Sequence, residues 1–371
     1  MPFAWKRVLC RAGFHVNSSV CEGNLRVGDC VPRPCVAIIN VLTHIYLFQR
    51  LCAVSALVQD AIPASLIEEI AFELNKKAAT ALPADVMERL DQLIARETEP
   101  LSLLVLEQIK ANAELALQSG RPMCGDTGLP RYYVKIGNEA PRIQGGMVAF
   151  ENALRRAVAR ATKTLPLRPN RVHPLTRVDH DNNVGMHAPE VTYTFEPDAD
   201  WIDIIVVHKG GLFGSDYRML FPSDGVKGIK RFFLDVVAEF NRRGLACPPS
   251  VVGIGLGGTK DTCFRLGKEA ACLRYVPDRN PDPLVAELEE ELTELGNRAG
   301  FGPMGFPGAT AIKAVKIECA YTHTGGLPMS VHHFCHATRR AVMRIFPDGS
   351  HAYRDDPQWF TPYYRRTVVE W

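Results

Sequence analysis

No C-x-x-C pair occurs in this 371-residue sequence, which weakens a zinc-ribbon or thioredoxin-like interpretation. Nor is there a surplus of one charge. Lys+Arg total 43 against 41 Asp+Glu, a net charge of +2, too balanced for a protein of nucleic acid or membrane surfaces. An anionic ligand would have to be held by locally placed charges. No apolar run is long enough to span a bilayer. The most apolar segment, Cys35 to Val58, is broken by His44, Gln49 and Arg50, and it lacks the cleavage pattern of a signal peptide. Internal repeats and low-complexity stretches are also missing.

The hydrophobic content of 46% supports a real core, and 23% charged residues is ordinary for a globular protein. The length gives room for one large or two modest domains. Eleven cysteines are present. Five (Cys10, Cys21, Cys30, Cys35 and Cys52) lie in the first 52 residues, and the other six are widely spread. A secreted disulfide framework would be short and dense, so a reducing, cytoplasmic setting is expected, with some thiols used for chemistry. Residues 1–55 differ in composition from the rest and are expected to be an extension outside the fold. Residues 60–350 are expected to form the folded domain, and 351–371 a C-terminal tail.

The folded part is expected to open with helices. Ser65 and Glu68 have the spacing of a capping box before the face Leu66, Ile70, Leu74 and Ala78. Asp85 and Glu88 repeat it before Val86, Leu90, Leu93 and Ile94. A third helix, Leu101 to Gln118, stops at Ser119–Gly120, and a fourth runs from Met147 to Ala161. Strands are expected over Val191–Phe195, Ile202–Val207, Val251–Leu256, Ile312–Glu318 and Met329–Phe334. Further helices cover Gly225–Arg243, Asp261–Arg274 and Pro283–Leu295. This order indicates an α+β fold, a helical N-terminal lobe followed by a mixed α/β domain.

Three cysteine contexts carry possible chemistry. Cys124 follows a helix end and opens the tight turn Gly125-Asp126-Thr127-Gly128; the pattern also suits a buried structural cysteine. Cys247 lies in Ala246-Cys247-Pro248-Pro249, where two prolines stiffen the backbone; a simple helix-to-strand link reads the same way. Cys335 lies in His332-His333-Phe334-Cys335-His336, a pattern shared by zinc sites and solvated polar edges. Isolated cysteines at turns and element ends suit an iron–sulfur cluster better than zinc. Cys263, Cys272 and Cys319 read as core residues.

CGDTG, Lys209-Gly210-Gly211, ACPP at Cys247, Gly257-Gly258-Thr259 and the late Cys335 occur in that order. Together they resemble the N-terminal domain of class I, iron–sulfur fumarate hydratases. In layout the chain is similar to the alpha subunit of L(+)-tartrate dehydratase and of two-subunit fumarases, over about residues 65–345. The resemblance implies a hydro-lyase acting on a small dicarboxylate such as fumarate, malate or tartrate. It implies a 4Fe–4S cluster on Cys124, Cys247 and Cys335, with one iron open as a Lewis acid. It makes Asp126 and His323 catalytic, and places Gly125, Arg168, Gly210 and Gly211 at the substrate. It further implies a beta subunit completing the site, in an α2β2 assembly. Gly125 replaces a usual Gln, and Leu212 and Phe213 replace a glycine and a small residue, leaving room for a methyl-bearing or otherwise altered dicarboxylate.

Two rival interpretations remain at this stage. Gly253-x-Gly255-x-x-Gly258, with Asp278 twenty residues on, spells a dinucleotide fingerprint and would make the chain an NAD-binding oxidoreductase. The substitutions at Gly125 and Leu212 would also suit an inactive cluster- or zinc-binding subunit. The aromatic stretch Pro357 to Trp371 is a candidate docking segment.

Overall fold

The computed structural model describes residues 61–210 and 214–365. The 1–55 extension, Gly211, Leu212, Phe213 and residues 366–371 lie outside the described residues. Those described belong to one compact unit, Asp60–Trp371.

Three consecutive helices open the unit: α1 (Ala64–Thr80), α2 (Ala84–Arg96) and α3 (Pro100–Ser119). Neither expected capping box forms. Pro63 and Pro83 stand at the two N-caps with φ of -63° and -59° and no side-chain cap. Proline presets the entry angle and leaves no N–H to satisfy. Asp85 is instead buried, where it accepts from the Val276 N–H at 2.9 Å and pairs with Arg340. α3 ends on Gly120 in the left-handed region, φ 65°, as its sequence indicates.

After α3 come β1 (Leu129–Gly137), α4 (Gly146–Thr164), β2 (Val191–Glu196), β3 (Ile202–Lys209) and β4 (Ser215–Leu220). Then follow α5 (Gly225–Arg242), β5 (Ser250–Gly257), α6 (Lys260–Leu273), α7 (Pro283–Asn297), β6 (Ile312–Ala320) and β7 (Leu327–Phe334). The chain closes with β8 (Arg339–Ile345), β9 (His351–Arg354) and α8 (Thr361–Arg365). The first sheet has the order β2-β1-β3-β8-β9 and the second β4-β7-β5-β6.

Strand alternation explains the layering. Tyr132, Val134, Ile204 and Val206 face α1 and α4 on one side of the first sheet. Tyr133, Ile205 and Val207 face the other way, onto Leu266, Ala271 and Cys272 of α6. The far side of α6 rests on the second sheet, whose opposite face packs Val252, Ile254, Val315 and Val331 against α5. One helix is thus sandwiched between two sheets, in an α+β fold with a helical N-terminal lobe.

The glycines of the apparent dinucleotide fingerprint have a packing role. A Cβ at Gly253 would lie 2.1 Å from the Gly267 carbonyl oxygen, and one at Gly255 would lie 2.0 Å from that of Cys263. They let α6 approach β5 at backbone distance. β5 pairs parallel with β6 and antiparallel with β7, so the sheet is not doubly wound. Asp278 is engaged by Arg274 at 2.8 Å and Lys316 at 3.0 Å. The oxidoreductase interpretation is therefore withdrawn. Gly253→Ala is expected to cost about 1–3 kcal/mol or more by overpacking. Gly125→Ala, which would meet nothing within 4 Å, should leave stability unchanged. Thermal unfolding of the two variants compares them, and equal melting temperatures would contradict the close packing.

The described part of the C-terminal segment, up to Arg365, packs into this core. β9 pairs with β8, and Trp359 and Phe360 are buried among Tyr133, Val342 and Cys272. Their burial leaves them unavailable for docking.

Candidate active site

The chain crosses from the first sheet to the second after β3 and returns between β7 and β8. These crossings fall beside one another. Leu129 is paired with Lys209 and His208 with Arg339, while Val251 is paired with Phe334 and Ser215 with His332. The registers bring Cys124–Gly128, Gly210, Cys247 and Cys335 to one seam between the sheets.

Cys124 and Cys335 share a small apolar cluster with Ala116, Met123 and Ala337. The carbonyl of Cys247 accepts the His336 N–H at 2.9 Å. Cys247 itself has φ 44°, a left-handed conformation costly for a residue with a Cβ and retained mainly at functional sites. Although Cys247 is exposed as a residue, its thiol is pushed up, first by partial removal from water, then by Cys335, Cys124 and Asp126. Two sulfurs and a carboxylate thus lie near enough to Cys247 to disfavour its thiolate, a negative cluster that a positive charge would relieve.

Asp126 is held in one orientation. Oδ1 accepts from the Gly128 N–H at 3.0 Å and from Asn170 Nδ2 at 3.1 Å. Arg339 Nη1 donates to its backbone carbonyl at 2.8 Å. A Cβ at Gly210 would sit 3.0 Å from Oδ2, so glycine leaves that oxygen accessible. The Arg168 N–H donates to Thr127 Oγ1 at 3.0 Å. Its exposed guanidinium, without a side-chain partner among the described residues, lines an open hollow of about 530 Å³ with Arg121, Cys124 and Gly125. The missing side chain at Gly125 leaves that hollow clear.

His323 does not join this group. It lies before β7, exposed, with Nδ1 accepting the Gly325 N–H at 3.1 Å. Cys335 follows the other end of that eight-residue strand. At about 3.3 Å per residue, the strand separates them by roughly 25 Å within this chain. Most of the intervening positions, Leu327–Phe334, are an extended strand, which sequence distance alone does not reveal.

The HHFCH segment is neither a zinc site nor a solvated edge. His332 is buried and stacks edge-on against Phe264 at 4.4 Å, while His333, also buried, packs on Phe240 at 5.3 Å. Burial, then Lys209, pushes His333 down to about 3, so it is neutral. Among the described residues, no three His, Cys, Asp or Glu side chains are grouped as a single metal ion requires. Cys263 and Cys272 are buried as expected, whereas Cys319 is exposed at the end of β6, not a core residue.

Sequence reasoning missed Asn170 and Arg339, which orient Asp126. Asn170 is signalled only by its place beside Arg168-Pro169. Arg339 stands in a basic pair that resembles a solvated strand end.

A family model described as "Fumarate hydratase (Fumerase)" matches residues 68–344. The chain belongs to this family, and it is a hydro-lyase. A Methanocaldococcus jannaschii protein named "Putative L(+)-tartrate dehydratase subunit alpha" is 39% identical over 288 residues, covering 76% of this chain and 99% of that protein. The "L(+)-tartrate dehydratase subunit alpha" of Escherichia coli strain UTI89 is 32% identical over 284 residues, covering 76% and 91%. The same identity and coverage hold for the subunit from strain K12. No helix among the described residues is long and apolar enough to cross a membrane.

Proposed function

We propose that this chain is the cluster-bearing alpha subunit of a cytoplasmic enzyme that adds water to, or removes it from, a small dicarboxylate. Residues 60–350 would be its catalytic domain. The meeting of three cysteines at one seam between the sheets, beside an oriented carboxylate and a hollow lined by Cys124 and by Arg168, which has no side-chain partner among the described residues, carries the proposal. Cys124, Cys247 and Cys335 would hold a 4Fe–4S cluster, since soft thiolates are the ligands such clusters take. Bound there with three protein ligands, the cluster would supply an open iron as Lewis acid.

The chain's own residues would do the rest. The Arg168 fork suits a substrate carboxylate bidentately. Gly125 and Gly210 let substrate approach the backbone, and Gly211 is proposed for the same turn. Asp126, with Oδ1 engaged, would use Oδ2 to accept or return a proton at the substrate hydroxyl. His323 would act only where another surface meets its exposed loop. A beta subunit, in an α2β2 assembly, would supply the base for the neighbouring carbon; the relatives named as alpha subunits support this.

The test is turnover by the anaerobically prepared two-chain complex on fumarate, malate, tartrate and methylated analogues. One compound should exceed the others in kcat/KM by about a hundredfold. No turnover on any would favour the inactive-subunit interpretation and sink this one.

A further inference from the structure

One buried amine takes no part in the chemistry above. Lys313 is 1% exposed and has no ion-pair partner among the described residues. The β5–β6 register passes from Ser250↔Ile312 to Val251↔Ala314, so Lys313 is the extra residue of a bulge. A bulge takes one residue out of the ladder and re-aims its side chain, often beside a functional site. The carbonyl so displaced is satisfied by Arg89 Nε at 2.7 Å.

The side chain runs to the return crossing between the sheets. Its Nζ donates to the His336 carbonyl at 2.7 Å and to Thr338 Oγ1 at 3.0 Å. The Thr338 hydroxyl donates in turn to the Cys335 carbonyl at 2.9 Å. The same loop is tied sideways, His336 N–H to the Cys247 carbonyl at 2.9 Å. An amine placed in an apolar interior is costly unless hydrogen-bonded, and an aliphatic side chain would fill this space without that cost. What lysine adds is a pair of donors aimed at the loop that carries one thiol.

We infer that Lys313 is a positioning residue for Cys335: through the carbonyl of His336 and the hydroxyl of Thr338, it fixes the loop 335–338 in the shape that presents the third thiolate. The inference rests on the proposed ligand role of Cys335, but the loop geometry can be tested without any cluster.

The experiment uses the full chain as wild type, Lys313→Met, Lys313→Arg and Thr338→Val. In metal-free protein, alkylation of each cysteine by iodoacetamide is followed by peptide mass spectrometry. Lys313→Met should speed labelling of Cys335 by about fivefold or more, as local opening of the loop increases. Cys124 should stay within about twofold, and Lys313→Arg should remain close to wild type. After anaerobic loading, iron loss to a chelator should accelerate in Lys313→Met and Thr338→Val. A folded Lys313→Met variant with Cys335 labelled at the wild-type rate would overturn the inference. Should that variant fail to fold, Thr338→Val cuts the same chain of bonds and decides by the same rates. Faster Cys335 labelling with no iron in the wild type would retain the positioning role and refute the ligand assignment.

Discussion

Replacing Cys124, Cys247 or Cys335 with serine should each leave a folded chain that retains no iron, with activity of the assembled enzyme lowered by at least about a thousandfold. A hard hydroxyl is a poor substitute for a soft thiolate at iron. Folding should survive because Cys247 is exposed and the other two are only half-buried, so little core packing is lost. The controls are within the same chain. Cys263 is buried and its thiol lies 3.2 Å from the Gly255 carbonyl; Cys272 is buried in the layer around α6. Serine at either should lower stability by about 1–3 kcal/mol through the misfit of a buried hydroxyl while iron content stays near wild type. Cys319→Ser, at an exposed position, should change neither. Iron assays and circular dichroism on the six variants separate the roles. Equal iron loss in Cys263→Ser would mean the ligand set has been misassigned.

The second large effect is expected from leaving out the partner. Loaded with its cluster but alone, this chain should turn over at less than about 1% of the rate of the two-chain complex, since losing a positioned base costs about 10²–10⁴-fold. The candidate hollow is open, and Arg168 and Arg121, without side-chain partners among the described residues, line it beside Cys124. A dicarboxylate has a second carboxylate to hold and a carbon-bound proton to lose. Among the described residues no second oriented base stands beside Asp126, and His323 lies at the far end of β7. On the proposed function, the remaining groups come from another polypeptide. The named relatives, which this chain matches over 91–99% of their length, are themselves called alpha subunits. Turnover of the isolated chain comparable to that of the complex would refute the requirement.

Much of this architecture could be read from periodicity. The helical faces of α1 and α5, and strands β3, β5, β6 and β7, follow the patterns in their residues. What escaped did so for physical reasons. β1 is buried on both faces, so Tyr132, Tyr133 and Val134 give no alternation. β8 begins Arg339-Arg340, which resembles a solvated edge, yet both are buried because Arg340 finds Asp85 and Arg339 finds the Asp126 carbonyl. Those partners lie more than 200 residues away in sequence, where local reasoning has no access. The site shows the same division. The CGDTG turn and ACPP are local and legible, whereas the hold of Asn170 on Asp126 joins two loops 44 residues apart in sequence. The separation of His323 from Cys335 depends on the residues between them forming one straight strand.

Purifying this chain with its partner without oxygen shows whether its three thiols carry a 4Fe–4S cluster with one open iron. Iron and acid-labile sulfide are then measured together with zinc. A brown protein with about four iron and four sulfide per alpha chain, losing activity on exposure to air, is expected. Stoichiometric zinc with no iron or sulfide would contradict it.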